Sequence, residues 1–244
     1  DRYGEREKRF KARLKFLVDE KRGIGFDKYL ALVESEKKAL KNTHSPIIQE
    51  ELSIPPIKNA PSAEPPADKD YNIWLKTNVV KQKQPDLNTI KLQIPLGDLS
   101  SNDARFIANL AATFGSSQLR VTIGQGLYLL HIPTSSLPYF YGELSKLDLA
   151  RPGAETLADI TACPGTDTCN LGVTNSTAIS RVLEDVIRTE YGHFITEHDL
   201  HIKISGCMNS CGQHMIANIG FHGSSIKHNK KVVPALQVVI GGGI

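Results

Sequence analysis

Apolar residues recur at helical spacing at the start of the chain and then give way to a proline-rich stretch. The three- and four-residue spacing predicts helix over residues 1–42, and the pattern repeats after Gly23 and Gly25. Its apolar positions are Phe10, Leu14, Leu17, Val18, Phe26, Tyr29, Leu30 and Val33. Residues 44–70 hold six of the thirteen prolines in a polar setting, which neither a helix interior nor a central strand tolerates. This stretch is predicted to be a linker or a surface strap, with Tyr71 and Trp74 anchoring its end.

From residue 88 the pattern alternates between strand and helix. "NTIKLQIPLG" alternates as a strand does, and "SSNDARFIANLAATFG" combines a capping serine, a helical apolar stripe and a closing glycine. "QLRVTIGQGLYLLHI" predicts two strands around a turn at Gly124–Gly126, and "TSSLPYFYGELSKLDL" predicts a helix. The β-α-β-β-α order is typical of a ferredoxin-like α+β unit.

The last third of the chain combines one helix with several strands. "NSTAISRVLEDVIRTEYG" predicts a helix whose apolar face is Ile179, Val182, Leu183, Val186 and Ile187. "HIKIS" is predicted to be a strand, and "HMIANIGFHG" and "ALQVVIGGG" are predicted to be strands after it. The predicted domains are 1–43, a helical end of a preceding repeat; 44–72, the linker; 73–150, the ferredoxin-like unit; and 151–244, an α/β unit.

Composition and charge exclude several classes of protein. The net charge of +3 is small, and the basic excess of residues 1–44 comes with no base-reading motif, so no nucleic-acid partner is expected. No apolar run is long enough for a membrane span and no secretory signal is present, which predicts a soluble, cytoplasmic protein without a membrane partner. The chain begins at Asp1 and ends just after a predicted strand, so we expect a fragment of a longer protein.

All four cysteines of the chain lie in two tight pairs. Cys163 and Cys169 occur in "ACPGTDTC", and Cys207 and Cys211 in "GCMNSCGQ", with 37 residues between the pairs. Disulfides suit small secreted scaffolds and are disfavoured here. A structural Cys₄ zinc site, an iron–sulfur cluster and unrelated buried cysteines remain open.

The residues beside the cysteines favour the cluster. Gly206 and Gly212 would allow the backbone to approach a bulky inorganic core. Cys169 is predicted to lie where the long helix begins, and a helix N-terminus stabilises negative charge.

With this spacing the sequence resembles the sirohaem-dependent nitrite and sulfite reductase family. In that family C-x₅-C and C-x₃-C hold a 4Fe–4S cluster, and the last cysteine also binds the sirohaem iron. The resemblance implies that Cys163, Cys169, Cys207 and Cys211 are cluster ligands, with Cys211 as the bridge. It also implies a ferredoxin-like half-domain followed by a 4Fe–4S and sirohaem domain. Asn209, Gln125 and Arg120 become candidate sirohaem contacts, each weighed against a turn, surface or strand-pairing role.

The family's activity would be the six-electron assimilatory reduction of nitrite to ammonia or of sulfite to sulfide. A one-electron donor such as ferredoxin or a flavoprotein would supply the electrons. "NSCGQ" followed by "IGF" leans weakly towards nitrite. Met208 replaces the family's usual proline, and Gly126 stands where an asparagine is common. The substrate-binding Arg and Lys residues are expected in the missing first half, so these 244 residues alone should be inactive. The rival hypotheses are a non-catalytic Cys₄ zinc module and an iron–sulfur electron-transfer module.

Overall fold

The computed structural model describes residues 7, 14–40 and 56–242, which belong to two compact units, Asp1–Leu52 and Ser53–Ile244. Helices α1 (Leu14–Leu17) and α2 (Phe26–Ala39) are the described elements of the first unit. The helix prediction was wrong for residues 18–25, where the Asp19 carboxylate accepts hydrogen bonds from the backbone N–H groups of Lys21 and Arg22 and closes a turn. Predictions for residues 1–6, 8–13 and 41–55 lie outside the described residues.

The second unit begins with a helix and strand that the periodicity did not reveal. Helix α3 (Lys69–Thr77) starts within the last residues assigned to the linker, after Asp68, whose carboxylate caps the N–H groups of Asp70 and Tyr71. The Trp74 side chain is fully buried and packs edge-on against Tyr141 at 5.2 Å between ring centroids. Strand β1 (Val79–Lys81) follows directly. The aromatic anchor expected here is therefore part of a helix.

A four-stranded antiparallel sheet in the order β1-β2-β4-β3 forms the ferredoxin-like half-domain. The remaining elements are β2 (Leu87–Leu92), α4 (Ser101–Thr113), β3 (Leu119–Val121), β4 (Leu127–Pro133) and α5 (Leu137–Ser145). They agree with the predicted β-α-β-β-α order, to which β1 adds a fourth strand. In β2, positions 88, 90 and 92 are buried and alternate with half-buried ones, because one face of the strand meets the core.

A second four-stranded sheet carries the cysteine loops. Its order is β5-β6-β7-β8, with the first three strands parallel and the last pair antiparallel. The strands are β5 (Thr161–Ala162), β6 (Ile202–Ser205), β7 (Ile219–His228) and β8 (Lys231–Ile240), and the helices are α6 (Ser176–Glu190) and α7 (Phe194–Glu197). The predicted strand "HMIANIGFHG" was wrong in its first half, since residues 214–216 form a 3₁₀ turn before β7 starts.

The buried face of α6 overlaps the predicted one and includes polar positions beside it. Val182 is 62% exposed, and the buried positions are Ser176, Ser180, Glu184 and Ile187. Ser176 and Glu184 occupy this face because they bond to backbone groups. The Ser176 hydroxyl donates to the Cys163 carbonyl, and the Glu184 carboxylate accepts from the Ile160 N–H. Of the predicted face, Ile187 is buried and Ile179 and Leu183 pack against the core, so the apolar periodicity located the helix and part of its core face. It was wrong for Val182 and did not reveal the buried polar positions.

Two buried side chains connect the half-domain to the cysteine-bearing segment. The Asn78 amide donates to the carbonyls of Lys91 and Arg151 and accepts from the N–H groups of Gly153 and Ala154. Gln93, directly after β2, donates to the Ala158 carbonyl at 2.7 Å. Among the described residues no helix is long and apolar enough to cross a membrane.

We expect Asn78→Ala to lower the free energy of unfolding by at least about 2 kcal/mol, because each buried group left without a partner costs about 1–3 kcal/mol. Urea unfolding measures the change. The control is Asn72→Ala, which removes an exposed amide that donates to the Asp68 carbonyl and should change the value by less than about 0.5 kcal/mol. Equal effects of the two substitutions would contradict the assigned role of Asn78.

Candidate metal centre

Both cysteine pairs begin at the same edge of the second sheet. Cys163 directly follows β5, and Cys207 follows β6 after one glycine. Strands β5 and β6 are parallel neighbours, with Ala162 opposite Ile204, and the carboxyl ends of parallel strands meet at one edge of a sheet. The fold therefore brings together two loops that are far apart in sequence.

The two loops are joined by backbone hydrogen bonds. The Gly206 N–H donates to the Cys163 Sγ at 3.1 Å, so the first loop's sulfur contacts the second loop's main chain. In return, the N–H groups of Val173 and Thr174 donate to the Gly206 carbonyl at 2.8 and 3.1 Å. Gly206 is thus held from both sides by the first loop.

This close contact leaves no room for a side chain. A Cβ added to Gly206 would lie 2.6 Å from the Gly165 Cα, and one added to Gly165 would lie 2.3 Å from the Ser176 Oγ. Gly165 also has a φ of +54°, in the left-handed region that favours glycine. At Gly212 the backbone closely approaches strand β6. A Cβ added there would lie 2.0 Å from the Ile204 carbonyl oxygen.

The four thiols are free and differ in exposure. Cys163 and Cys207 are half-buried, whereas Cys169 and Cys211 are exposed, and none forms a disulfide. The expectation that Cys169 starts the long helix was wrong: α6 begins at Ser176, after Asn175 caps it. A turn at Gly172 and the bonds of residues 173 and 174 to Gly206 intervene. The helix start contacts Cys163 instead, with the Ser176 Oγ 3.7 Å from its Sγ.

Gln125, a candidate sirohaem contact, is paired with the strand that precedes Cys163. Its side-chain amide donates to the Ala162 carbonyl and accepts from the Ala162 N–H, both at 2.9 Å. The side chain therefore fixes β5 against the half-domain, and a cofactor contact by Gln125 stays a prediction. Arg120 lies on the exposed edge strand β3, and Asn209 lies exposed between the two cysteines of the second loop.

Several residues of this region were not identified as functional from the sequence. Lys203 and Ser205 alternate with Ile202 and Ile204 along β6, so "HIKIS" did signal one polar face. The Lys203 ammonium is buried and donates to the Thr161 hydroxyl and the Gln213 carbonyl, both at 3.3 Å. Ser176 gave no sequence signal, because its role depends on contacts with both loops.

Buried charges next to the site have shifted pKa values. Burial lowers the pKa of Lys203, while the carboxylates of Asp159 and Glu155 act in the opposite sense. Burial raises the pKa of Asp159 to about 7. These groups line a cavity of about 340 Å³ together with Ile123, Gly124, Thr161, Asp199, His201 and Ile202.

The donor set fits an iron–sulfur cube. The four free thiols lie in two loops that start at one sheet edge, and a backbone N–H donates to one of the sulfurs, as is typical around clusters. Within the described ranges, no group of three or more His, Cys, Asp or Glu side chains is placed to hold a metal ion. A 4Fe–4S cube needs a wider arrangement of ligands than a single metal ion does, since each thiolate binds its own iron atom. Four large apolar side chains close to the cysteines in sequence are exposed: Leu171, Met208, Met215 and Ile216.

Comparisons with known proteins agree with this geometry. Residues 80–147 match the nitrite/sulfite reductase ferredoxin-like half domain, and residues 153–244 match the nitrite and sulphite reductase 4Fe-4S domain. The ferredoxin–nitrite reductase of Synechococcus elongatus is 28% identical over 163 residues, which are 67% of this chain and 31% of the relative. The ferredoxin sulfite reductase of Mycobacterium tuberculosis is 28% identical over 243 residues, which are 98% of this chain and 40% of the relative.

A solved structure shows the same arrangement of elements. The NirA protein of Mycobacterium tuberculosis superposes with a TM-score of 0.64 at 27% identity, over 99% of this chain and 40% of that one. The α+β fold expected from the sequence is confirmed. The chain spans about a third to two fifths of the length of these relatives.

We expect Gly206→Ala to separate the two loops, because its Cβ would collide with the backbone of Gly165. Iron binding should weaken by about 10- to 100-fold, as happens when groups that orient metal ligands are changed. Iron and acid-labile sulfide per chain, measured on the full-length protein, test this.

The matched control is Gly142→Ala in helix α5, where an added Cβ meets nothing within 4 Å. It should keep the full iron content and raise the free energy of unfolding by about 0.5–1 kcal/mol, the helix preference of alanine over glycine. Normal iron content in Gly206→Ala would show that the loops need no such close contact.

Proposed function

The chain belongs to the nitrite and sulfite reductase family, and we propose that it forms the part of such an enzyme that binds a 4Fe–4S cluster and one side of a sirohaem. The observation that carries the proposal is the convergence of both cysteine pairs at one sheet edge. There the Gly206 N–H of one loop meets the Cys163 sulfur of the other. The whole enzyme would reduce nitrite to ammonia, or sulfite to sulfide, with six electrons.

The four cysteines are the proposed cluster ligands, and Cys211 is the one proposed to be shared with the sirohaem iron. Its exposure supports the second role, because a shared ligand must reach a group outside its own loop. Cys163 is half-buried and accepts a hydrogen bond from backbone, which suits a ligand that faces the protein. Asn209, Gln125 and Arg120 remain proposed contacts of the macrocycle.

When bound, the cluster and the sirohaem would supply the redox chemistry of the reaction. The chain's own residues set the conditions for that chemistry. The Gly206 N–H lies against a thiolate position and would offset part of its negative charge. The Lys203 ammonium holds Gln213, two residues after Cys211, through its side-chain carbonyl. The cationic residues that bind the anionic substrate are proposed to lie in the rest of the enzyme.

Two substrates have support from different observations. Nitrite is favoured by "NSCGQ" followed by "IGF" and by relatives named ferredoxin–nitrite reductase. Sulfite is favoured by the two mycobacterial sulfite reductases, which align over 98% and 99% of this chain. Both sets of relatives are named for ferredoxin, so a ferredoxin is the proposed electron donor, with a flavoprotein as the alternative.

The proposed location is the cytoplasm, where thiols stay reduced and available to a cluster. The four free cysteines support a reducing compartment. Several plant relatives are described as chloroplastic, so the same kind of enzyme also occurs in an organelle.

The metal content of the full-length protein tests the proposal. We expect about five iron per chain, about four in the cluster and one in the sirohaem, and about four acid-labile sulfide, together with the absorption band of a macrocycle. One zinc per chain without sulfide would favour the structural zinc module. Iron and sulfide without the macrocycle band would favour an electron-transfer module.

Steady-state kinetics of the full-length enzyme with reduced ferredoxin decide between the substrates. If nitrite is the substrate, we expect kcat/KM for nitrite to exceed that for sulfite by at least about tenfold, which corresponds to about 1.4 kcal/mol of transition-state stabilisation. The reverse order would assign the enzyme to sulfite. Equal and negligible rates with both anions would contradict the proposed activity.

A further inference from the structure

A buried serine and a buried histidine flank the loop that carries Cys207 and Cys211. Ser205 ends strand β6, and His214 starts the turn after the loop. Both are 1% exposed, and the Ser205 Oγ lies 2.9 Å from the His214 Nδ1. The contact therefore joins the residue just before the loop to the residue just after it.

The same serine holds the residue next to Cys211. The Gly212 N–H donates to the Ser205 Oγ at 3.0 Å. The hydroxyl also bonds the His214 Nδ1, as donor or acceptor according to the tautomer of the ring. Burial lowers the pKa of His214, and the neighbouring His222 adds to this effect, which favours the neutral ring. The Ser205 hydroxyl thus connects Gly212 to His214.

The loop needs such support because its backbone is strained. Ser210 and Gln213 have φ values of +61° and +60°, in the left-handed region that side chains disfavour. They stand on either side of Cys211 and Gly212. Strained residues of this kind persist only where the surroundings hold them in place.

We propose that Ser205 and His214 are positioning residues that fix Cys211 for its shared role between the cluster and the sirohaem. This inference rests on the proposed function. Neither side chain needs to touch a cofactor: the serine holds Gly212 from beneath, and the histidine orients the serine. Removing either partner would free the backbone that carries the Cys211 sulfur, while Cys163 keeps its separate contacts with Gly206 and Ser176.

The half-domain offers a matched control, a second buried serine in contact with a histidine ring nitrogen. Ser116 is also 1% exposed, its Oγ lies 3.1 Å from the His131 Nδ1, and its hydroxyl donates to the Leu130 carbonyl. Burial also lowers the pKa of His131. This Ser–His contact joins the segment after α4 to strand β4, outside both cysteine loops. Loss of it should affect stability without affecting the cysteines.

The test uses the full-length protein with both cofactors and compares Ser205→Ala and His214→Ala with Ser116→Ala and His131→Ala. Three quantities are measured: iron and acid-labile sulfide per chain, the apparent Kd for sirohaem, and the magnetic coupling between sirohaem iron and cluster by Mössbauer spectroscopy. Cys211→Ser supplies the spectrum without the proposed bridge. The double variant S205A/H214A tests whether the pair acts as a unit.

We expect both loop variants to keep iron and sulfide but to bind sirohaem about 10- to 100-fold more weakly, with reduced coupling. The double variant should be no worse than the poorer single one. The control variants should retain wild-type coupling. Unchanged sirohaem affinity and coupling in both loop variants would overturn the inference, as would an equal loss in His131→Ala.

Two further outcomes separate this inference from the proposed function. Absence of cluster or sirohaem from the wild-type protein would refute the proposed function itself, whereas a normal wild type with unaffected variants refutes only the positioning role. If His214→Ala fails to fold, Ser205→Ala decides alone, because it removes a single oxygen atom.

Discussion

The contact between the two cysteine loops at Gly206 is the constraint on which the rest of the site depends. A backbone N–H of one loop meets a sulfur of the other, and the Gly206 carbonyl takes two N–H groups in return. Neither loop could come this close with a side chain at position 206. The parallel pairing of β5 with β6 brings the loops to one edge of the sheet. Because Gly206 has no side chain, the two loops can then come into direct contact.

Around the sulfurs the chain relies on backbone groups and small neutral side chains. Ser176 supports the loop of Cys163, and Ser205 with His214 supports the loop of Cys211. The buried Lys203 reaches the second loop only through Gln213. Neutral hydrogen-bond donors stabilise negative charge without adding a buried ion that would itself need a partner. Such an environment suits a cluster whose charge changes with each electron.

Much of the fold was predictable because its helices and strands have local sequence signals, such as a capping residue or a periodic apolar pattern. Ser100 and the apolar stripe defined α4, and alternation defined β2 and β6. Helix α3 was missed because the prolines before it dominated the interpretation, although Asp68 is an ordinary cap. The exposed Val182 shows a different limit, because periodicity found α6 and part of its core face but assigned Val182 to that face and missed its buried polar positions.

The candidate site was predictable only in part. The cysteines stood out by spacing, and the resemblance they carried is confirmed by the family matches. The residues that support them could not be found in the same way. Ser176 and His214 have meaning only through partners brought close by the fold, and a lone serine or histidine carries no pattern in a sequence. The spacing of cysteines in the sequence indicates candidate ligands, whereas the residues that hydrogen-bond to the cysteine loops can be identified only from the folded structure.

The pairing of Gln125 with both backbone groups of Ala162 has a consequence for how far the cysteine-bearing segment can fold by itself. The turn of the half-domain supplies a side chain that bonds β5 as a neighbouring strand would, one position before Cys163. The position of β5, and with it the start of the loop of Cys163, therefore depends on the half-domain as well as on β6. A cysteine-bearing segment expressed without the half-domain would lose both bonds and leave one side of this short strand unpaired.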